Sequence, residues 1–252
     1  MKILVTGYKG FIGQNLYKDL QNFCKVDGFE WGDEFPGFDY DWIIHLGAIT
    51  STTETDVEKI MIQNYDFSIW LLENSNRYKV NLQFSSTASI YGQGNRFDED
   101  APPKPLTPYS WSKYLFERYV KQKDWDILVQ CFRYFNVHGP GEDHKNNQAS
   151  PQHRFRKQVK ERGYIELFEG SENFYRDFVP VETVIHIHRQ FLTIGESGVW
   201  NIGSGRPKSF LEVAKEISDN YKFIPMPENL KTSYQSYTCA DMTKTNRTLK
   251  LI

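Results

Sequence analysis

Residues 2–20, KILVTGYKGFIGQNLYKDL, decide the fold class of this 252-residue chain. The first five are mostly apolar and predict a buried strand, and apolar side chains at every fourth position from residue 12 to residue 20 predict a helix. Gly7, Gly10 and Gly13 lie in between, where small residues let the backbone approach a pyrophosphate at the helix N-terminus. The segment therefore indicates dinucleotide binding, with a plain tight turn as the alternative.

Strands and helices continue to alternate downstream of this turn. Strands are predicted at 26–29, 42–46, 81–85 and 127–134, and helices over 56–76 and 109–121. This order is typical of an α/β protein, a Rossmann-type parallel sheet with helices on both faces. Only ten residues, Trp31 to Tyr40, separate the second strand from the next one. That span is too short to hold a further strand and helix. We therefore expect the sheet to lack the third strand that a longer crossover would add, and we expect the side of the site that would bind the adenine of a dinucleotide to be more open.

The second half of the chain has a different pattern. A polar loop region is predicted over 141–155, followed by a helix at about 151–162, strands at 165–168 and 199–202, and a helix over 209–220. The predicted Rossmann domain comprises 1–135 with 178–204 and about 236–252. The predicted substrate-binding domain is small and interrupted, and comprises 136–177 with 205–235.

Composition excludes several classes of protein. The formal net charge of −2 argues against nucleic acid or an anionic membrane surface as the main partner. The three cysteines are far apart and form no CxxC pair, which argues against a zinc site or a disulfide framework. His186 and His188 are two apart on a predicted helix and face different ways, so no metal is expected. The chain opens directly on a strand and has no long apolar run, which predicts a cytoplasmic protein.

Two residues near the glycine turn bear on which dinucleotide binds. Glu30 ends the second strand, where a carboxylate can accept hydrogen bonds from the adenosine ribose and repel the phosphate of NADP. Lys9 lies inside the turn, where an ammonium could pair with that phosphate. We therefore expect NAD or NADP, with NAD slightly favoured.

Three side chains form a candidate catalytic set. Tyr109 and Lys113 are four residues apart at the start of a predicted helix and project from one face, and Thr87 follows the end of a predicted strand. A tyrosine normally titrates near pH 10, and a nearby ammonium favours its phenolate. Thr87 can donate a hydrogen bond to the same substrate oxygen. We expect a tyrosine base, a lysine that tunes it and a threonine that polarises the substrate.

Five segments carry a resemblance to a known family. They are 6–13 (TGYKGFIG), 45–48 (HLGA), 85–92 (SSTASIYG), 108–113 (PYSWSK) and 133–140 (RYFNVHGP). In this order they resemble the extended short-chain dehydrogenases/reductases, the nucleotide-sugar epimerase and dehydratase group. Segments 167–174 (LFEGSENF) and 176–179 (RDFV) are most similar to the ADP-heptose 6-epimerases within it, here in a shortened form.

The resemblance implies epimerisation by transient oxidation. A hydride leaves the substrate carbon to give a ketone and returns to the opposite face, which requires a proton-transfer group for each face or a rotating intermediate. By the resemblance, Tyr109 serves one face and Lys145 the other, with Thr87 and Lys113 assisting. The alternative for Lys145 is an exposed surface lysine. Ala88 and Ser89 follow Thr87 where the dehydratases have an acidic pair, which argues against water elimination.

The resemblance and the motifs also imply binding residues, for many of which ordinary packing is the alternative. The cofactor set is Gly7, Tyr8, Lys9, Gly10, Phe11, Ile12, Gly13, Glu30, Leu46, Gly47, Ala48, Asn64, Tyr109 and Lys113. The substrate set is Ser51, Thr52, Thr87, Asn136, Lys145, Ser150, Phe168, Ser171, Arg176, Tyr234 and Gln235. Arg176 is the candidate for the substrate diphosphate, because a guanidinium makes paired hydrogen bonds with phosphate.

Other functions stay open at this stage. A nucleotide-sugar 4-epimerase or ketoreductase of the same family would use the same residues, and a nucleotide-sensing protein could keep the fold without the chemistry. By family analogy alone we expect a homo-oligomer. The acidic run Asp98-Glu99-Asp100 is interpreted as a solvated loop rather than a carboxylate dyad.

Overall fold

The computed structural model describes residues 1–51, 54–228 and 235–251, without the side chains of residues 146 and 147. Its strands are β1 Lys2–Thr6, β2 Lys25–Phe29, β3 Trp42–His45, β4 Asn81–Thr87, β5 Val129–Tyr134, β6 Asn136–His138, β7 Ile165–Phe168, β8 Tyr175–Pro180, β9 Gly198–Ile202, β10 Pro207–Ser209 and β11 Tyr221–Ile224. Its α-helices are α1 Phe11–Leu20, α2 Val57–Ile60, α3 Phe67–Tyr78, α4 Pro108–Val120, α5 Pro151–Arg162, α6 Val181–Phe191, α7 Phe210–Lys215 and α8 Thr243–Thr248.

Six strands form the central sheet, in the order β2-β1-β3-β4-β5-β9. Every neighbouring pair is parallel. The carboxyl ends of these strands therefore meet at one edge, where β1 enters the glycine turn and β4 ends at Thr87. This arrangement confirms the predicted Rossmann-type α/β fold.

Helices cover both faces of the sheet, as its apolar strands require. On one face, Leu71 and Leu72 of α3 and Phe116 of α4 pack in a cluster with Leu82 and Phe84 of β4. On the other face, α1 and α6 contribute the buried residues Leu16, Leu20, Val184, Ile187 and Phe191 to two further clusters. The sheet thus has an apolar core on each face. The loops at its carboxyl edge are not part of these cores and can form a functional site.

The connection between β2 and β3 contains neither helix nor strand over residues 30–41, and β2 is an edge strand of the sheet. The predicted absence of a third strand is therefore confirmed. Aromatic rings of this connection pack on α3 instead: Phe35 meets Trp70 at 5.0 Å between ring centroids, and Phe38 stacks on Tyr78 at 5.2 Å. The short connection is thus held against α3 by aromatic packing.

The second half of the chain adds two small sheets, with strand orders β10-β8-β6 and β11-β7. Their short strands have no clear sequence pattern, and only β7 is predicted. The polar region predicted as loop holds a 3-10 turn at Asp143–Gln148 and the first part of α5. The proposed division into a Rossmann domain and a substrate-binding domain stays a prediction.

Two of the predicted helices differ from the structure, the first in its winding and the second in its extent. The single helix expected over 56–76 is α2 and α3 joined by one π-helical segment at Met61–Asp66. The helix expected over 209–220 begins as predicted, with a capping box between Ser209 and Glu212, but α7 ends at Lys215. The residues that follow form a turn in which the Asn220 side chain donates to the Gly163 carbonyl at 2.8 Å.

The interpretation of Asp98–Asp100 as a solvated loop is wrong for Glu99. Its side chain is buried and its Oε1 accepts the backbone N–H of Asn201 at 2.7 Å. Burial raises the pKa of this carboxyl group. Glu99 therefore connects the segment before α4 to strand β9. The two residues are 102 positions apart, so the sequence gives no sign of this contact.

Candidate active site

The glycine turn has the close approach that a pyrophosphate site needs. Gly7 adopts φ +69°, a conformation that side chains disfavour, and its N–H donates to the Phe29 carbonyl at 2.8 Å. A Cβ on Gly13 would lie 2.0 Å from the Gly7 carbonyl oxygen, so α1 can start this close to β1 only with glycine there. Gly10 is the N-cap of α1 and supplies no side-chain acceptor. The N–H groups of the first turn are thereby left for an anion.

A cavity of about 930 Å³ opens at the carboxyl edge of the sheet. The predicted site residues that line it are Gly7, Gly10, Phe11, Ile12, Gly13, Glu30, Leu46, Gly47, Ala48, Thr87, Tyr109, Lys113, Asn136, Lys145 and Ser150. A cavity of this size is at the upper end of the range for small-molecule sites. It joins the predicted cofactor side to the predicted catalytic residues.

Glu30 is held in place by the glycine turn itself. Its Oε1 accepts the backbone N–H of Lys9 at 2.6 Å, and its side chain lines the cavity. The Lys9 ammonium lies 5.4 Å from the ring centroid of Tyr8, and neither Tyr8 nor Lys9 is part of the cavity lining. Of the two residues that bear on the choice of dinucleotide, Glu30, which favours NAD, faces the cavity, and Lys9, which favours NADP, does not.

Tyr109 lies close to Thr87 because the first turn of α4 is near the carboxyl end of β4 in space. Thr107 and Ser110 form a capping box that starts the helix at Pro108, so Tyr109 lies in its first turn. Burial raises the pKa of the Tyr109 phenol, and a hydrogen bond with Thr87 acts in the opposite direction. The phenol therefore stays protonated at neutral pH unless a positive charge stabilises its phenolate.

Lys113 lies one helical turn after Tyr109 and is 1% exposed. Its Nζ lies 3.4 Å from the Ser85 hydroxyl and 4.5 Å from the centroid of the Phe84 ring. Burial lowers the pKa of this lysine to about 7. Small changes in its surroundings can therefore change its charge at neutral pH.

Lys145 is part of the cavity wall rather than an exposed surface lysine. Its side chain is 25% exposed, with Nζ 4.9 Å from the centroid of the Phe11 ring and 3.9 Å from Oε2 of Glu142. Burial lowers the pKa of Lys145, and the charge of Glu142 raises it. A lysine held in this way can take up or release a proton more readily than one in water.

A buried chain of hydrogen bonds, which the sequence does not reveal, connects the glycine turn to α4. Thr6 Oγ1 lies 2.6 Å from His45 Nδ1, and His45 Nε2 lies 2.9 Å from the Ser68 hydroxyl. Ser68 donates to the Asn64 carbonyl, so its oxygen is free to accept from Nε2–H and Nδ1 accepts from Thr6. This neutral tautomer agrees with burial, which lowers the pKa of His45 to about 3.

Asn64 continues that chain and lies away from the cavity lining. Its amide exchanges hydrogen bonds with the backbone of Ile49, at 2.8 and 2.9 Å, and donates to the Ser112 hydroxyl at 3.2 Å. Ser112 in turn donates to the Tyr109 carbonyl at 2.8 Å. These contacts orient the loop after β3 and the start of α4. A direct cofactor contact by Asn64 stays a prediction.

A second buried polar network, also not predicted from the sequence, lies between strands β4 and β5 and helix α4. Arg133 makes a bidentate ion pair with Glu117, with N–O distances of 2.6 and 3.0 Å. Ser86 donates to the same carboxylate at 2.5 Å, and Arg133 also donates to the Tyr91 hydroxyl at 3.0 Å. The network fixes β4 against α4, which determines where Thr87 and Tyr109 meet.

Several predicted substrate residues lie outside the cavity lining. Arg176 donates to the carbonyls of Tyr175 and Gln235, and its guanidinium lies 5.6 Å from the Phe210 ring centroid. Ser171 is buried and donates to the Phe168 carbonyl. Ser51 is half-buried outside the lining, whereas Thr52 and Tyr234 lie outside the described residues. Substrate contacts by this set stay predictions.

Within the described residues, no group of three or more His, Cys, Asp or Glu side chains could hold a metal ion. His186 and His188 face different ways, as predicted, with His186 exposed and His188 buried on α6. Across the same residues, no helix has both the length and the apolar character needed to cross a membrane.

Comparison with known proteins gives consistent results. Residues 22–203 match the model of the NAD dependent epimerase/dehydratase family. The chain is 35% identical to an ADP-L-glycero-D-manno-heptose-6-epimerase from Brachyspira hyodysenteriae, in an alignment that covers 96% of this chain and 90% of that protein.

Solved structures show the same fold over nearly the whole chain. The ADP-L-glycero-D-manno-heptose-6-epimerase of Helicobacter pylori superimposes with a TM-score of 0.88 at 26% identity, covering 99% of this chain and 90% of that one. The UDP-glucose 4-epimerase of Thermus thermophilus, solved as a complex with NAD, superimposes with a TM-score of 0.77 at 25% identity, covering 97% and 91%.

Proposed function

The chain belongs to the NAD dependent epimerase/dehydratase family, and we propose that it is an ADP-heptose 6-epimerase, which inverts one carbon of a nucleotide-diphosphate sugar. One observation carries the proposal: Tyr109 with Thr87, and Lys145 from a different part of the chain, line the same cavity as the glycine turn. Two proton-transfer groups beside a dinucleotide site are what inversion through a ketone requires. The 35% identity to a heptose epimerase supports this substrate class.

The residues of the cavity fit NAD as the cofactor. Gly7 and Gly13 leave room for a pyrophosphate at the start of α1, and the carboxylate of Glu30 faces the cavity where a ribose would lie. When bound, NAD supplies the acceptor and donor of the hydride. The carboxylate of Glu30 would repel the additional phosphate of NADP, so we propose NAD over NADP.

The protein groups then have separate tasks. Thr87 donates a hydrogen bond to the substrate oxygen, and Tyr109 removes a proton from that oxygen or returns one to it. Burial lowers the pKa of Lys113 to about 7. The negative charge of the Tyr109 phenolate favours the protonated form of Lys113, which in turn stabilises the phenolate. Lys145 transfers the proton when the ketone is reduced from its other face. The buried chain from Thr6 to Ser112 holds the start of α4, which carries Tyr109, in a fixed position.

The experiment is direct. We expect purified protein incubated with an ADP-heptose of either C6 configuration to give the same equilibrium mixture of the two epimers, measured by proton NMR. No interconversion would contradict the proposed substrate. Release of a ketone without the second epimer would indicate a ketoreductase, and inversion of UDP-glucose to UDP-galactose would indicate a 4-epimerase.

Matched variants test the two proton-transfer groups. Tyr109→Phe and Lys145→Met should each lower the epimerisation rate by at least about 100-fold, because a missing general acid or base typically costs that much. NAD binding, measured by fluorescence titration, should be unaffected by Lys145→Met. Normal turnover of Lys145→Met would remove Lys145 from the mechanism and leave the fold assignment untouched.

We also propose that the protein forms a homo-oligomer through the surface of the 57–66 segment and α4. Exposed apolar side chains on that surface, Val57, Ile62 and Trp111, support this idea. Sedimentation equilibrium should give a multiple of 29.6 kDa, and Trp111→Glu should shift the distribution towards monomer. A wild-type protein of monomer mass at micromolar concentration would contradict the proposal.

A further inference from the structure

A buried carboxylate next to the active-site cavity has no part in the proposed reaction. The side chain of Glu142 is 0% exposed and lies at the start of the turn that carries Lys145. Burying a carboxylate is costly unless hydrogen bonds and a partner charge compensate it. The groups that contact Glu142 therefore indicate its role.

Those contacts join the two ends of the turn. Oε1 of Glu142 accepts the Gly139 N–H at 3.1 Å on one side and the Ser150 hydroxyl at 2.7 Å on the other. Oε2 accepts the Ser150 N–H at 2.6 Å, and the Glu142 carbonyl accepts the Lys145 N–H at 2.9 Å. Ser150 is also the N-cap of α5. One side chain thus connects β6, the turn and α5.

The same carboxylate faces the lysine. Glu142 Oε2 lies 3.9 Å from Lys145 Nζ, and the same Nζ lies 4.9 Å from the ring centroid of Phe11 at the start of α1. The other titratable groups around the turn include His138 of β6, His144, which lines the cavity, and Asp143, which is 95% exposed and lies 3.8 Å from His153 of α5. Burial lowers the pKa of His138, and the charge of Glu142 raises it. Across the cavity are Tyr109 and Lys113.

We propose that Glu142 is a positioning residue, which fixes the turn that carries Lys145 and faces the lysine ammonium with its charge. The inference rests on the proposed function, in which Lys145 transfers a proton. Glu142 keeps Lys145 protonated enough to donate to the substrate oxygen, against the effect of burial. A residue with a merely structural role would hold the turn without changing the charge of Lys145.

The test measures the charge of Lys145 directly in the full-length protein. Lysines are dimethylated with ¹³C-formaldehyde, and the pKa of each is read from a pH titration of its ¹³C–¹H signal. The signal that is missing in Lys145→Arg is that of Lys145. Glu142→Gln keeps the size of the side chain but removes its charge, and should lower the pKa of Lys145 by about one unit or more.

Asp143→Asn is the matched control, because it removes the same charge from the neighbouring residue without removing the group that faces Lys145. It should leave the pKa of Lys145 unchanged. An equal pKa of Lys145 in wild type and in folded Glu142→Gln would overturn the proposal. If Glu142→Gln does not fold, Glu142→Asp answers the question, since withdrawing the carboxylate by one methylene should lower the pKa by a smaller amount.

Activity provides the second measurement. The limb of the pH–rate profile that depends on protonated Lys145 should move to lower pH in Glu142→Gln by the same amount as the pKa. A lowered pKa in a protein that epimerises no ADP-heptose would support the role of Glu142 and contradict the proposed substrate. A profile that stays in place while activity falls would show that Glu142 only holds the turn, and the proposal would be overturned.

Discussion

Lys113, which has a role in the proposed mechanism, is buried at an energetic cost. It is almost completely buried, and its ammonium has the Ser85 hydroxyl and the Phe84 ring as neighbours rather than a carboxylate. Burial of a charge without a counter-ion is unfavourable, which is why the pKa of Lys113 is lowered to about 7. The unfolded chain has no such penalty. Residues kept for chemistry often destabilise a fold in this way.

The pH dependence of stability should show this cost. Between about pH 7 and pH 10, Lys113 is protonated in the unfolded chain but neutral in the folded one. Over this range its contribution to the free energy of unfolding therefore increases with pH, by about 1.4 kcal/mol per unit. Lys113→Met should lack this increase and be the more stable protein at pH 7, as measured by urea unfolding of cofactor-free protein. Lys121→Met, which removes an exposed lysine at the end of the same helix, should behave as wild type.

The proposed preference for NAD over NADP depends on a single side chain, Glu30, which lines the cavity. Glu30→Gln keeps an oxygen that can accept the Lys9 N–H but removes the charge that would repel the phosphate of NADP. The ratio of the dissociation constants for NADP and NAD should fall by about tenfold or more, since a hydrogen bond to a charged group is worth about 1.5–3 kcal/mol. Glu34→Gln changes an exposed carboxylate of the same connection and is the control. An unchanged ratio in Glu30→Gln would mean that Glu30 does not face the ribose.

Two serines of helix α3 allow a comparison at the scale of one element. Ser68 and Ser75 are both fully buried, but Ser68 lies in the chain between His45 and Asn64, whereas the hydroxyl of Ser75 has no partner within the described residues. Ser68→Ala should lower the free energy of unfolding by about 1–3 kcal/mol, because His45 Nε2–H loses its acceptor. Ser75→Ala should be neutral or slightly stabilising. Equal effects in urea unfolding would show that the chain of hydrogen bonds contributes nothing.

The elements that the sequence predicts are those whose pattern is local. Strand β1, the glycine turn and α1 follow from apolar spacing and small residues within 20 positions, and the absent third strand follows from a count of residues. The π-helical segment around Asn64 has no such signal, because it depends on contacts with Ile49 and Ser112 from elsewhere in the chain. A period of 3.6 residues predicts a helix but not a local change in its winding.

The residues of the candidate site also divide into those with a local sequence pattern and those that depend on long-range contacts. Tyr109 and Lys113 are recognisable because their spacing follows a glycine turn and a strand that ends near Thr87, and the resemblance to a family adds Lys145. The residues that support them are not recognisable: Glu142 and Glu99 look like ordinary surface acids until the fold buries them. Both carboxylates accept hydrogen bonds from backbone N–H groups, which have no sequence signature. Sequence therefore predicts the groups that react better than the groups that hold them.

At the scale of the whole molecule, two neutral histidines are buried on opposite faces of the central sheet. His45 ends β3 and contacts α3, while His188 lies on α6, with Nδ1 2.6 Å from Gln83 Oε1 and Nε2 bonded to the Tyr134 hydroxyl. Gln83 uses its amide N–H groups for Gln130 and the His188 carbonyl, so its oxygen accepts from Nδ1–H and Nε2 must accept from Tyr134. Protonation would therefore break a hydrogen bond on each face.

This arrangement predicts how the protein unfolds in acid. Burial lowers the pKa of both histidines to about 3, so from pH 6.5 down to pH 3 the unfolded chain binds two protons that the folded chain does not. Stability should be lost as the pH falls through this range, by about 1.4 kcal/mol per unit for each histidine. His188→Gln should reduce the slope by one proton even though the variant is less stable at every pH, because the slope counts protons rather than contacts. His186→Gln, on the exposed side of the same helix, should leave the slope unchanged, since its ring is in solvent in both states. Urea unfolding between pH 4 and pH 6.5 measures both slopes, and equal slopes in His188→Gln and wild type would mean that the buried imidazole can be protonated without disturbing the contact between α6 and the sheet.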